Sequence, residues 1–222
     1  WVVQNRDLNG NNIRVISLSY GTDGAQDHRL DPLSHAVENA WRHGIVVVVA
    51  GGNDGRGVQR LGNPAINPSV IAVGAAEQSN NGAWRVPSWS STGDGTRNPD
   101  VVAPGGSVLS AGVAGSFLGD SHPAATCVTN KGDAYLRGSG TSQAAAAVAG
   151  AAAMLFEDRP DLTPDEVKYL LTATAVDLGQ QAKVQGHGLV DVTAALQAQI
   201  PVPGLDPVYG TGWCGTGGIL VS

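Results

Sequence analysis

The sequence predicts an α/β domain built on a mostly parallel β-sheet, and three observations carry that prediction. Residues 45–50, IVVVVA, form a short continuous β-branched run of the kind found in a strand covered on both faces. A second strand-like stretch, residues 12–19 (NIRVISLS), lies upstream, and the segment between the two has helical periodicity. Strand, helix, strand is the right-handed crossover unit of parallel sheets. Finally, 222 residues with 42% hydrophobic content and 31 glycines suffice for one buried core with many tight turns.

In chain order, Trp1-Val2-Val3 reads as the tail of a helix, and residues 1–4 have neither the basic start nor the long apolar stretch of a secretory leader. The strand over 12–19 feeds Ser19-Tyr20-Gly21. Asp31 and Pro32 supply the N-cap and first-turn proline of a helix whose apolar face is Leu33, Ala36, Val37, Ala40 and Trp41, and Gly44 ends it. After the 45–50 strand, Gly51-Gly52-Asn53-Asp54-Gly55 falls beyond the strand's carboxyl end, where ligands gather in such sheets. Residues 69–75, SVIAVGA, read as a further strand. From Ala144 to Phe156 no charged or amide side chain interrupts an alanine-rich run, so a helix apolar on every face is expected inside the core. It is shorter than the roughly 20 residues needed to cross a bilayer. Thr163-Pro164-Asp165-Glu166 is a capping box with proline at the first helical position, opening a helix that buries Val167, Leu170 and Leu171. Ile200-Pro201-Val202-Pro203-Gly204 marks a boundary between a domain over 1–199 and a Gly/Pro-rich tail over 200–222.

Charge and motif content remove several function classes. A net charge of -6 with scattered Lys and Arg offers no basic footprint, so neither nucleic acid nor membrane is expected as a partner. No G-x-G-x-x-G and no G-K-[ST] ending is present, which removes the nucleotide reading of the 51–55 loop. No D-x-[DN]-x-[DN]-G loop is present either, and no metal site or cofactor is expected. Cys127 and Cys214 lack C-x-x-C spacing. They either pair, tying the tail to the loop before residue 137, or are two unrelated thiols.

Arg137 to Phe156, RGSGTSQAAAAVAGAAAMLF, places Ser142 at the joint between a glycine-rich loop and the apolar helix. There its hydroxyl could lie beside unpaired helix N-terminal amides able to stabilise an oxyanion. A hydroxyl residue before a helix is more often simply an N-cap, and an Asn in a glycine-rich turn is equally well a turn residue.

A resemblance separates these alternatives. Gly140-Thr141-Ser142-Gln143-Ala144-Ala145, continuing to Val148-Ala149-Gly150, resembles the GTSMAxPHVAG nucleophile segment of the subtilisin-like serine peptidases, with Gln143 for the common Met and Ala146 for the common Pro. Val49 to Gly55 is similar to that family's AAxGNxG segment, whose Asn donates to the oxyanion. Gly62 to Ala75, Ser88 to Gly93 and Asp100 to Gly105 resemble its xPSVIAVGA, FSSxG and DxxAPG segments, in family order. The resemblance covers about Trp1 to Gln199. It implies a three-layer subtilisin-like domain, an endopeptidase acting outside the cell, Ser142 as nucleophile and Asn53 as oxyanion donor. It also implies that an extended protein or peptide substrate lies along Ser19, Tyr20 and Gly21 on one side and Ala50, Gly51 and Gly52 on the other, with Thr141 beside the nucleophile.

A serine hydroxyl needs a base, and the base a carboxylate. The family carries these in DTG-like and HGTHVAG segments before the serine, yet none of His28, His35, His43, His122 and His187 is followed by Gly-Thr. The Asp and His segments are therefore expected upstream of residue 1, with this chain the C-terminal part of the catalytic domain, its N-terminal portion missing and itself inactive when alone. The competing readings are a catalytically silent scaffold of the same fold that binds peptide or a protein partner, and an α/β domain without a site.

Overall fold

The structure, a computed structural model, describes residues 1–23, 27–113, 115–129 and 131–201. It is an α/β architecture in which the helix and strand signals of the sequence are packed in layers. Strand β1 (Val15–Leu18) leads through α1 (Pro32–Arg42) to β2 (Val46–Ala50), followed by β3 (Ile71–Gln78), β4 (Trp84–Arg85) and β5 (Val101–Pro104). The strands β1, β2, β3 and β5 are parallel neighbours in that order, in register Val15 with Val46, Val48 with Ile71 and Val73 with Val101. The short β4 pairs antiparallel with the end of β3.

All five residues of β2 are buried. Alternate side chains of a strand point to opposite faces, so this burial requires cover on both sides. α3 (Thr141–Asp158) runs across β1, β2, β3 and β5. α1 packs on β2, and Trp41 Nε1 donates to Asp165 in α4 (Pro164–Ala173) at 3.0 Å. The α1 cap is the expected one, with Asp31 accepting from Ser34 N at 2.7 Å and Pro32 in the first turn. Ala36, expected on its apolar face, is exposed, and the polar Ser34 is buried instead. Its hydroxyl donates to the buried Asn63 Oδ1 at 2.7 Å, which offsets the loss of water at both groups. The α4 capping box is complete, Thr163 and Glu166 each bonding the other's backbone.

Between β5 and α3 lies an element that the sequence patterns do not announce. β6 (Val108–Ala111), β7 (Thr126–Val128) and β8 (Ala134–Gly138) form a small antiparallel sheet in the order β6-β8-β7, with α2 (Phe117–Ser121) between β6 and β7. α5 (Ala182–Gln185) and α6 (Val192–Gln197) follow α4 and are the last elements among the described residues. Residues 2–7 form turns, with Asn5 N donating to Trp1 O at 2.9 Å, where the tail of a helix was expected. One such bond does not sustain a helix.

The expectation that α3 is buried on every face fails along one stripe. Ala144, Ala145, Val148, Ala151, Ala152, Leu155 and Phe156 are buried, but Ala146, Ala147, Gly150, Ala153 and Met154 are exposed. Among the described residues no element covers that stripe, and β1 pairs only with β2, leaving its other edge open. Ile200 packs on the core. Cys127 is exposed in β7, and Cys214, its possible partner, lies outside the described residues.

Candidate active site

Strand β2 ends at Ala50, and the backbone that follows is pinned in place. Gly51 N donates to Val73 O at 2.8 Å, and Gly52 O accepts from Ser91 N at 3.0 Å. Gly52 has φ +113, and a Cβ there would lie 2.7 Å from Ser91 Oγ, so only glycine fits this turn. The turn delivers Asn53 to the N-terminus of α3.

α3 begins one turn earlier than the apolar run, at Thr141. Its N-cap is Gly140, which has no side-chain cap, and Ser142 is the second helical residue. The N-cap alternative for Ser142 is thereby excluded. Thr141 is buried, 1% exposed, and its hydroxyl is committed twice: it accepts from Gly52 N at 3.2 Å and donates to Asn53 Oδ1 at 3.1 Å. Thr141 N also donates to Asn53 Oδ1, at 2.9 Å. An N–H can only donate, so the atom facing it must be the amide oxygen, and the orientation of the Asn53 amide is fixed. Asn53 Nδ2, on the other side, has no acceptor among the described residues.

That donor and the Ser142 amide lie close together. A Cβ on Gly140 would sit 3.6 Å from Asn53 Nδ2 and 3.7 Å from Ser142 N, so both nitrogens lie within 4 Å of a single point; Gln143 Oε1, a buried acceptor with no hydrogen-bond partner among the described residues, lies 2.7 Å from that point and borders the space between them. Neither Ser142 N nor Ser142 Oγ has a partner among the described residues, while Ser142 O accepts from Ser19 Oγ at 3.1 Å. Two neighbouring N–H donors beside a hydroxyl without a partner are the groups that a tetrahedral oxyanion and its nucleophile require.

Ser142 and Asn53 line a cleft of about 240 Å³ together with Ser19, Tyr20, Gly21, Ala50, Gly52 and Thr141. Gly51, alone among the expected site residues, does not line it, because its backbone is turned to Val73 and Gly62. The backbone groups of Tyr20 and Gly21 make no hydrogen bond among the described residues, leaving an open strand extension along one wall. Asp23, Asp54 and Gly62 complete the lining. Sequence alone gives these three no role: Asp54 stands inside the 51–55 motif without a function, and nothing local marks Asp23. None of the five histidines lines the cleft.

The chain matches the subtilase family of peptidases (Peptidase S8) over residues 2–189. It belongs to the subtilase family. Among its relatives, serine protease AprX of Bacillus subtilis is 37% identical over 209 residues, covering 90% of this chain and 46% of AprX. Subtilisin DY of Bacillus licheniformis is 38% identical over 199 residues, covering 89% of this chain and 60% of the relative. The chain thus spans about half the length of the curated subtilases it matches. Fervidolysin from Fervidobacterium pennivorans, a keratinolytic enzyme related to subtilisin, superposes with a TM-score of 0.69 at 31% identity, covering 90% of this chain and 28% of fervidolysin.

Proposed function

We propose that this chain is the C-terminal part of a subtilisin-like serine endopeptidase domain, with Ser142 as nucleophile and with a base and its orienting carboxylate supplied by an upstream segment. The observation that carries the proposal is the proximity of two N–H donors, Asn53 Nδ2 and Ser142 N, beside a Ser142 hydroxyl that has no partner among the described residues. Ser142 Oγ attacks the peptide carbonyl while its proton passes to the upstream histidine, and the two N–H donors hold the oxyanion. The C–N bond then breaks, the leaving amine takes that proton, and the acyl ester on Ser142 is hydrolysed by water activated by the same base.

Substrate lies extended beside Tyr20-Gly21, whose open backbone groups suit strand addition. Tyr20, 57% exposed at the cleft, restricts a neighbouring pocket where the family often has Leu. Three features among the described residues support completion by an upstream segment: no histidine lines the cleft, no element covers one apolar stripe of α3, and β1 pairs on one edge alone. A bare apolar stripe and an open edge are surfaces that a layered α/β core ordinarily covers. The resemblance to subtilisins further supports an enzyme acting on proteins outside the cell.

The test is Ser142-dependent cleavage by the full-length gene product. Casein should be degraded by the unmodified protein and not by Ser142→Ala. Binding of casein-derived peptides without cleavage would favour the silent scaffold instead.

A further inference from the structure

Gln143 directly follows Ser142, at the position where the subtilase nucleophile segment commonly has Met. The side chain is half-buried, and its amide lies against the backbone that leads from β8 into α3. A Cβ on Gly138 would meet Gln143 Nε2 at 2.9 Å, and a Cβ on Gly140 would meet Oε1 at 2.7 Å. Neither glycine is in the left-handed region, and Gly140, with φ 166, has extended backbone that any residue adopts. What these two positions gain from lacking a side chain is room for the amide.

That amide is tethered at neither end. Oε1 is a buried acceptor without a hydrogen-bond partner, and Nε2 has none either, among the described residues. A buried acceptor left without a donor is costly, so hydrogen bonding does not hold the amide in this orientation. Asn53 differs, because two donations from Thr141 hold its oxygen and leave one orientation. In Gln143, half a turn about the last side-chain torsion exchanges Oε1 and Nε2 and breaks no hydrogen bond. The point 2.7 Å from Gln143 Oε1 is the same one that lies 3.6 Å from Asn53 Nδ2 and 3.7 Å from Ser142 N. Negative charge developing beside those two donors repels a carbonyl oxygen and attracts an amide N–H, and burial strengthens both effects.

We propose that Gln143 is a further catalytic residue, whose amide turns over as the oxyanion forms so that Nε2 becomes a third donor to it. The inference rests on the peptidase reading, which supplies that oxyanion. Gln143 makes and breaks no covalent bond and exchanges no proton; it contributes one hydrogen bond that exists only while the charge does. Methionine has no N–H to give, so Gln143 adds a donor that the common form of the segment lacks.

Turnover and ground-state binding are measured separately in the full-length gene product. Gln143→Met removes the amide, whereas Gln143→Glu keeps its length and an acceptor but removes the donor. Gln143→Met should lower kcat about tenfold with little change in KM, less than the loss known for a fixed oxyanion donor of subtilisin because this amide must first turn over. Gln143→Glu should lower kcat about a hundredfold, since it also sets a negative charge beside the oxyanion. A peptide boronic acid, whose tetrahedral adduct on Ser142 carries an oxygen in the oxyanion's place, should inhibit Gln143→Met about tenfold less well than the unmodified protein. Binding of an uncleaved peptide to the Ser142→Ala form, read by fluorescence anisotropy, should not change when Gln143→Met is added. Full activity of Gln143→Glu would show that an acceptor is what counts and would overturn the proposal. Equal losses of peptide binding and turnover would overturn it as well, by marking a packing role. Ser142-dependent cleavage indifferent to Gln143 sinks the third donor alone, whereas the absence of Ser142-dependent cleavage by the unmodified protein sinks the peptidase reading and the third donor together.

Discussion

Because Thr141 donates twice to Asn53 Oδ1, through its backbone N and its hydroxyl, the Asn53 amide can present only Nδ2 to the cleft. Two expectations follow at this scale. Replacing Asn53 with Ala in the full-length protein should lower kcat by about 10²–10³ with little change in KM, the loss known for removing one oxyanion donor from subtilisin. Thr141→Val keeps the shape of the side chain but removes the hydroxyl that binds Asn53 and Gly52. It should lower kcat by about tenfold, the equivalent of one lost hydrogen bond at the anchor, and Thr141→Ser should restore most of it. A rise in KM alone would mean that Thr141 contacts substrate without positioning Asn53. Ser142 and Asn53 could be singled out in the sequence because each stands in a short segment that resembles a subtilase motif, beside a helix start or a strand end. The charge of the cleft was not legible. Asp23 and Asp54 are brought together only by the pairing of β1 and β2, and the residue that fixes Asp54, Ser91, comes from a third segment.

At the scale of elements, the foot of the sheet is held by one buried carboxylate. Asp100, at the start of β5, accepts from Ala72 N at 2.7 Å, from Arg97 at 2.9 and 3.1 Å and from Lys168 of α4 at 3.0 Å, and so ties β3, β5 and α4 together. Lys168 also donates to the carbonyls of Pro68 and Val70 at 3.0 and 2.8 Å, three acceptors in all, which suits an ammonium. Burial alone would raise the Asp100 carboxyl, but Lys168 and Arg97 outweigh it and hold it below its ordinary value of 3.8. A depressed carboxylate contributes stability that is complete above the unfolded value near 4 and is lost as pH falls through the folded value. Asp100→Ala, which strands two cations, should cost about 3–5 kcal/mol in urea unfolding at neutral pH. Its deficit relative to the native protein should shrink below about pH 4; a deficit independent of pH would show that charge is not what Asp100 contributes. β2, α1 and α4 could be read from sequence because run length, proline and capping residues are local signals. The β6-β8-β7 sheet could not, since its strands are 3 to 5 residues long and are exposed or half-buried, with no run or sustained alternation to reveal them.

For the whole molecule, the parallel order β1-β2-β3-β5 with α3 laid across it follows from local signals and the right-handed crossover rule. What local signals misjudged was the surroundings of α3. Its sequence is that of a helix enclosed on all sides, yet Ala146, Ala147, Gly150, Ala153 and Met154 face outward. If an upstream segment brings the base, that stripe and the open edge of β1 are where it docks. Residues 1–222 alone should therefore bind an apolar dye such as ANS, and binding should fall when the upstream segment is added. The central claim, that Ser142 is a nucleophile activated from outside this chain, is tested most directly by fluorophosphonate labelling of Ser142, with Ser142→Ala as control. Removing the base from a subtilisin triad costs about 10⁶ in kcat. Residues 1–222 alone should show no labelling, and labelling should become stoichiometric once the upstream segment is joined or added in trans; Ser142-dependent labelling of the isolated chain would contradict activation from outside.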